Sequence, residues 1–384
     1  MAATVGWDTL RELAGYRAER GWALSLYLGL DPSTAPTAAD VDARLSSLLA
    51  EGERRLEARR DALPREAREA AKADLGRIRA WFEHEFDRSG VQGVAVFAAG
   101  LDGLFRALPL AEPVEDEIRL GLELLLAPLV PLVGKGDGPL VAVVNRERGD
   151  VYRLRDGAFE QVADHTDELP MTRSDQGGWS QARYQRYFDE LAEKHMKAVA
   201  GELDRRVRER TGPVVVVGPE EIRAEFSELL AQETRQAVVG WAVAEAHSTP
   251  AQVLEAIRPL LREAESAEEA ALLERWRGLA GRGERATAGW DATLDAASDG
   301  RVEVLLYANG GGRPANRAAW QCPVCGRGAA GPGACPLDGV PMDERENGLD
   351  VAVHRTLAHG GTVRPVRHHA DLGPAEGIGA LLRF

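Results

Sequence analysis

A pair of glycines followed by a long amphipathic segment decides the fold. Residues 177–186 read Gly-Gly-Trp-Ser-Gln-Ala-Arg-Tyr-Gln-Arg, and apolar side chains then recur at three- and four-residue steps as far as Val207. This spacing predicts a helix of roughly 30 residues with one apolar face. His195 falls on that face, which favours a buried core histidine. A Gly-Pro pair ends the helix, and the β-branched run Val214–Val217 predicts a short buried strand.

Neighbouring segments extend this unit into an α/β pattern. Upstream, Leu140–Asn145 predicts a buried strand and Val151–Leu154 its hairpin partner. Downstream, Pro219–Gln232 predicts a helix with proline in its first turn, and Ala237–Val243 predicts another strand. Strands and helices that alternate in this order predict an α/β sheet with both faces covered.

Changes in composition divide the chain into three predicted domains. The glycine-rich stretch Gly134–Pro139 is typical of a linker, although a long hairpin turn inside one domain has the same composition. Thr249 and Pro250 predict a further helix start, as N-cap and first helical residue. The predicted domains are an N-terminal α/β domain at 1–136, a middle domain at 137–247 and a C-terminal α/β domain at 248–384.

The two outer domains have their own predicted elements. In the first, the charged, alanine-rich stretch Ala38–Phe86 is helical by composition, and Pro64 breaks it into two helices. Strands of the first domain are predicted at Ala23–Leu30, Gly93–Phe97 and Leu104–Leu108. The third domain is predicted to contain strands at Arg301–Tyr307 and Gly361–Pro365, a helix at Gly348–Leu357 and a Cys-rich insertion at 320–342.

Composition excludes several classes of protein. The 384 residues are 44% hydrophobic and 28% charged, as in globular proteins, and the formal net charge of −14 argues against duplex DNA as the main partner. No run of about 18 apolar residues predicts a membrane span. The first residues do not match a secretory signal, and three cysteines do not suggest a disulfide framework. We therefore expect a cytoplasmic protein without a membrane partner.

The glycine pair has the residue types of an anion site. Gly177 and Gly178 allow a close approach of other groups, and Ser180 as N-cap places Gln181 in the first helical turn. Free amides at a helix N-terminus suit a phosphate or a developing oxyanion. The residue types are equally consistent with a flexible loop and a capped helix whose aromatic side chains face the core.

Cationic and aromatic residues around the loop are typical of RNA contacts. Arg173, Arg183 and Arg186 add positive charge to an acidic chain. Trp179 and Tyr184 offer rings on which the bases of single-stranded RNA stack.

These residues resemble the catalytic loop of the archaeo-eukaryotic peptide chain release factor superfamily. There, a Gly-Gly-Gln loop precedes a helix that starts Ser-x-x-Arg-aromatic-x-Arg, which Ser180, Arg183, Tyr184 and Arg186 match. The resemblance implies a three-domain α/β architecture, with an RNase H-like middle domain and a small zinc-ribbon-like insertion in the C-terminal domain. The resemblance covers about the last 245 residues well and the first 135 weakly.

The loop departs from the family pattern at its catalytic position. Trp179 stands where the family has glutamine, and Gln181 instead gives a Gly-x-x-Gln form similar to the bacterial branch and to the ribosome-quality-control peptidyl-tRNA hydrolase branch. The first 136 residues contain no Asn-Ile-Lys-Ser motif, so we do not expect stop-codon reading. The resemblance assigns catalytic positions to Gly177, Gly178 and Gln181, and tRNA contacts to Arg173, Trp179, Ser180, Arg183, Tyr184 and Arg186.

The implied function is hydrolysis of ribosome-bound peptidyl-tRNA. The quality-control branch cuts the tRNA phosphodiester near its 3′ end instead, and the sequence does not separate the two cleavages. Because Trp179 replaces the family glutamine, a non-catalytic ribosome-associated factor is the alternative. A two-metal nuclease using Asp164, Asp167 and Asp175 is weaker, because no strand clearly presents a carboxylate cluster.

A repeated cysteine frame predicts a metal site. Cys322-Pro-Val-Cys325-Gly is a recurrent zinc half-site, and Cys335-Pro-Leu-Asp338-Gly repeats it with aspartate in the last position. We expect a structural Cys₃Asp zinc site, with His354 and His359 as reserve ligands. A metal-free relic held by its turns is the alternative, and a redox pair is less favoured in a Gly/Pro-rich insertion.

Overall fold

A computed structural model describes residues 5–133, 138–145, 149–155, 158–164, 181–209, 212–244, 248–310, 315–369 and 371–384. The chain packs as two compact units: residues 1–136 together with 269–384, and residues 137–268. Helices and sheets alternate in both, which confirms the α/β class. The division into three domains stays a prediction. Within the described residues, no helix is both long and apolar enough to cross a bilayer.

The first unit begins with the N-terminal block, residues 1–136, built on one antiparallel sheet. Its elements are α1 (Trp7–Ala14), β1 (Ala23–Gly29), α2 (Ala38–Ala58), α3 (Arg65–His84), β2 (Gly93–Ala99), β3 (Leu104–Leu110) and β4 (Glu117–Gly121). The strand order is β3-β2-β1-β4. Strand β1 is buried throughout because alternate residues enter different cores, Leu26 against α2 and α3 and Tyr27 against the opposite core.

The C-terminal block, residues 269–384, completes the first unit. Its elements are β10 (Ala286–Ala288), α8 (Trp290–Ser298), β11 (Val302–Ala308), β12 (Ala319–Gln321), β13 (Gly328–Ala329), β14 (Asp343–Arg345), α9 (Gly348–Ala358), β15 (Thr362–Val366) and β16 (Ile378–Leu382). One sheet has the order β10-β16-β11-β15, and a small sheet has the order β13-β12-β14. Leu10 of α1 and Val353 of α9 belong to one hydrophobic cluster, so the two blocks share a core.

The second unit, residues 137–268, contains the mixed sheet expected around Val214–Val217. Its elements are β5 (Leu140–Val144), β6 (Gly149–Arg155), β7 (Ala158–Asp164), α4 (Gln181–Glu209), β8 (Val214–Val217), α5 (Arg223–Leu229), α6 (Gln232–Ala237), β9 (Val238–Ala242) and the start of α7 (Pro250–Gly281). The order is β7-β6-β5-β8-β9, with β5, β8 and β9 parallel. Val216 packs on the α4 side and Val215 on the α7 side, so both faces are covered.

The structure corrects the predicted helix Pro219–Gln232. After a short 3₁₀ turn, α5 ends at Leu229, and Leu230 is extended. The backbone N–H of Ala231 donates to Asp204 Oδ1 of α4 at 3.1 Å, which satisfies it without a helical partner. The sequence reading also missed β4, β7, α1, α8 and β16.

Candidate catalytic loop and metal centre

The described residues hold both ends of the predicted catalytic loop. Strand β7 ends at Asp164 on the edge of its sheet, and α4 begins at Gln181, the residue that the sequence places in the first helical turn. Arg173, Gly177, Gly178, Trp179 and Ser180 lie outside the described residues, as do Asp167 and Asp175 of the nuclease alternative. The side chains of Gln181, Arg183, Tyr184 and Arg186 are not described either. The catalytic and tRNA-binding assignments therefore stay predictions.

The C-terminal half of α4 is firmly attached to the sheet. His195, Val199 and Leu203 are buried, as the apolar spacing predicts. Arg206 pairs with Glu202 at 2.7 Å and donates to the backbone oxygen of Val162 in β7 at 3.3 Å. The helix that starts at Gln181 is thus fixed to the strand from which the loop departs.

The metal centre is built from two similar turns. The first knuckle, Cys322–Arg327, follows β12, and the second knuckle, Cys335–Val340, precedes β14. In each, the N–H of the leading cysteine donates to the carbonyl five residues later, and the N–H of the glycine donates back to that cysteine. Gly326 and Gly339 have φ angles of +75° and +69°, which explains why both turns use glycine.

The two knuckles bring the four predicted ligands together. The sulfur atoms of Cys322, Cys325 and Cys335 and a carboxylate oxygen of Asp338 all lie within 4.8 Å of one another. The Cys325 and Cys335 sulfurs are 3.6 Å apart, and Cys322 Sγ lies 3.2 Å from Asp338 Oδ2. Zn–S bonds of about 2.3 Å in a tetrahedron place sulfurs about 3.8 Å apart, so the spacing fits a metal ion.

The electrostatics of the cluster reflect the crowding of these donors. Burial and the neighbouring Asp338 carboxylate raise the pKa of the Cys325 thiol to about 12. Hydrogen bonds from the Cys325 and Cys322 thiols lower the pKa of Asp338. Without a cation, the Cys325 thiol therefore keeps its proton and shares it with the carboxylate. A divalent cation would lower the pKa of the thiols, because it stabilises the thiolate form directly.

The reserve histidines lie elsewhere. His354 is buried in α9, with Nδ1 3.4 Å from Glu123 Oε2, and burial lowers its pKa. His359 Nε2 lies 3.0 Å from the guanidinium of Arg355. Within the described part of the chain, neither belongs to the group that could hold a metal ion, whose fourth member is Asp338.

Comparison with known families confirms the resemblance predicted from the loop. Residues 125–262 match the model of bacterial archaeo-eukaryotic release factor family 10. The matched range includes β7, the whole loop segment and α4. This part of the chain is thus similar to the bacterial archaeo-eukaryotic release factors.

A comparison with solved structures gives several matches. The archaeal translation termination factor aRF1 is 16% identical, with 99% of each chain covered and a TM-score of 0.26. Pelota of Archaeoglobus fulgidus is 14% identical over 100% of this chain and 94% of its own, with a TM-score of 0.36. Dom34 of S. cerevisiae is 11% identical over 78% of each chain, with a TM-score of 0.40. A comparison with curated proteins finds no match.

Proposed function

We propose that this chain is a release-factor-like peptidyl-tRNA hydrolase that acts on ribosome-bound peptidyl-tRNA, in termination or in ribosome rescue. The observation that carries the proposal is the family match over 125–262, which spans the segment Gly178-Trp179-Ser180-Gln181. The start of α4 at Gln181 supports it, because the first turn of a helix has backbone N–H groups without helical partners.

Gln181 acts by position and not by proton transfer. An amide side chain does not titrate near neutral pH, so it does not serve as a general base. It orients the attacking water, while its backbone N–H stabilises the oxyanion that develops on the ester carbonyl. One such donor contributes about 3 kcal/mol, and the ribosomal peptidyl-transfer centre supplies the remainder. Gly177 and Gly178 let the tRNA 3′ end approach the backbone.

The neighbouring side chains hold the acceptor end of the tRNA. Arg173, Arg183 and Arg186 neutralise phosphates, and Trp179 and Tyr184 stack on its unpaired bases. Ser180 caps α4 and fixes the start of the helix. With a net charge of −14, the chain binds free nucleic acid weakly, and these local cations act once it is docked on the ribosome in the cytoplasm.

Zinc is the proposed metal at Cys322, Cys325, Cys335 and Asp338. Three sulfurs and one carboxylate oxygen form a donor set that zinc accepts, and a site closed by four protein ligands is structural. Metal analysis of the purified chain is expected to give one zinc per protein, and a ratio near zero contradicts the assignment.

The activity test uses stalled ribosome–peptidyl-tRNA complexes. Free peptide with intact tRNA supports ester hydrolysis, and shortened tRNA supports cleavage near the 3′ end. Gln181→Ala keeps the backbone N–H but removes the amide that orients the water, so it is expected to lower the rate about a hundredfold. Gln185→Ala, four residues further along α4, is the matched control and is expected to keep the rate.

A second candidate function rests on Trp179, which occupies the family glutamine position. In this case the chain is a ribosome-associated factor without hydrolytic activity. Stable ribosome binding with neither product supports it. Full activity of the Gln181→Ala variant contradicts the catalytic role of this residue.

A further inference from the structure

The first knuckle lies directly against the N-terminal block. Arg17 Nη2 donates to the backbone oxygen of Pro323 at 2.6 Å, and Pro323 lies between the metal ligands Cys322 and Cys325. The other arm of the same guanidinium pairs with Glu123 at 2.5 Å. The Arg17 and Glu123 side chains are 29% and 10% exposed, so this pair is largely removed from water.

Polar contacts continue from this pair into the small sheet. Gln321 Nε2 donates to Glu123 Oε2 at 2.7 Å and to the backbone oxygen of Gly326 at 3.3 Å. Arg345 of β14 donates to Gln321 Oε1 at 3.1 Å. On the opposite side, Arg355 of α9 donates to the backbone oxygen of Cys325 at 3.5 Å. Backbone carbonyls of the knuckle are therefore acceptors for side chains from both blocks.

Gly326 shows how closely the pair and the knuckle fit. A Cβ atom at this position would lie 2.8 Å from both Arg17 Nη1 and Glu123 Oε1. At Gly339, the equivalent residue of the second knuckle, nothing lies within 4 Å of such an atom. The first knuckle is thus shaped to receive the ion pair.

We propose that metal binding at the Cys₃Asp cluster strengthens the contact between the N-terminal block and the C-terminal block, because Arg17 binds the first knuckle in the shape that the ligands hold. The inference rests on the proposed metal site and deepens its role from local folding to a link between the blocks. The ligands fix the peptide that carries the Pro323 and Cys325 carbonyls. When the ligands are free, that peptide keeps its backbone hydrogen bonds but loses the constraint of the metal, and its contact with the Arg17–Glu123 pair weakens.

Thermodynamic linkage couples zinc binding to the contact between Arg17 and the first knuckle, so either can be measured to test the proposal. If the metal strengthens the contact between Arg17 and the knuckle, the same contact strengthens metal binding by an equal factor. Arg17→Ala is therefore expected to weaken zinc binding about fivefold in a chelator competition. Arg20→Ala is the matched control, because Arg20 pairs with Asp102 at 3.4 Å and its side chain is 68% exposed.

Hydrogen exchange of the full chain gives the second readout. Removing zinc with a chelator is expected to accelerate amide exchange about fivefold in 15–22 and 117–126 as well as in the knuckles. Ala18 N–H, which donates to Leu122 at 2.7 Å, is the amide to follow. Strands β2 and β3 of the same block serve as internal reference. In Arg17→Ala, residues 15–22 and 117–126 are expected to exchange fast with or without zinc.

Each outcome has one meaning. Zinc binding with unchanged exchange in 15–22 and 117–126, or unchanged zinc affinity in Arg17→Ala, overturns the link and leaves the metal site standing. A chain that takes up no zinc overturns both. Loss of peptide release in the ribosome assay affects only the proposed activity. Should Arg17→Ala fail to fold, Glu123→Gln, which keeps an acceptor oxygen for Arg17 without the charge, is expected to show the same weakening to a smaller extent.

Discussion

The two knuckles share one sequence frame but have different surroundings. The first is packed against Arg17, Glu123 and Arg355, and Cys322 has no exposed surface. The second is exposed from Pro336 to Gly339, including its ligand Asp338. Local sequence therefore sets the shape of a ligand turn, whereas the tertiary contacts determine what depends on it. Three predictions test this difference, from the largest effect to the smallest.

Ligand removal is expected to cost most at the buried knuckle. Cys322→Ser should weaken zinc binding more than a hundredfold, which exceeds the roughly 10–100-fold cost of losing a residue that only contacts a ligand. The reason is that the Cys322 sulfur is a ligand itself and also accepts the Val324 and Cys325 N–H groups of the turn. Asp338→Ala should weaken it only about tenfold, since water replaces an exposed carboxylate. Chelator competition measures both affinities. Val324→Ser, at a residue 60% exposed in the first knuckle, is the control that should bind zinc normally. Equal losses at Cys322 and Asp338 would contradict the comparison.

A pH effect is expected at the contact between the N-terminal block and α9, the helix whose Arg355 also contacts the first knuckle. Asp350 of α9 accepts the Leu126 N–H at 3.1 Å, and burial, assisted by Glu123 and Glu117, raises its pKa to about 7. The unfolded chain loses this proton near pH 4, so the contribution of Asp350 to stability falls as pH rises from about 4 to about 7 and changes no further above that.

Asp350→Asn should flatten this part of the stability profile, by about 4 kcal/mol at most. Urea unfolding at several pH values measures it, and the difference from the unmodified chain removes the contribution of His354, which both share. Asp61→Asn, at a side chain 98% exposed, is the control. If the stability profile of Asp350→Asn ran parallel to that of the unmodified chain, titration of Asp350 would not contribute to the pH dependence.

Alanine at the two turn glycines gives the finest comparison. Both residues have positive φ, so each substitution costs about 1–2 kcal/mol of backbone strain. Gly326→Ala should cost about 1–3 kcal/mol more, because its Cβ would meet Arg17 and Glu123. Denaturant unfolding of the zinc-loaded variants gives the difference. Equal costs would mean that the ion pair moves aside freely.

Sequence reasoning was strongest where the signal is local. The Cys-Pro-x-x-Gly frame identified all four members of the metal-ligating group, and the apolar spacing around His195 predicted the buried face of α4. It failed for short elements such as β4 and α8, whose pattern is set by the elements they pack on. A central strand that is buried on both faces, such as Val214–Val217, was recognisable because every residue is apolar.

The roles of Arg17 and Glu123 had no sequence signal. They lie 106 residues apart, and Arg17 is 306 residues from Pro323, so only folding of the first unit brings them together. Their charges are ordinary among the 108 charged residues of the chain, 47 basic and 61 acidic.

By itself, the sequence determined the α/β class, the resemblance to the release-factor superfamily through Ser180–Arg186, and the four residues of the candidate metal cluster. These features depend on residue spacing within one turn, one helix or one strand, where the backbone geometry is known in advance. Only the tertiary structure decided that the N-terminal and C-terminal blocks form one unit, and that an ion pair closes on the first knuckle and leaves the second exposed. Such contacts join distant parts of the chain, and their energy comes from burial and charge pairing that exist only after folding.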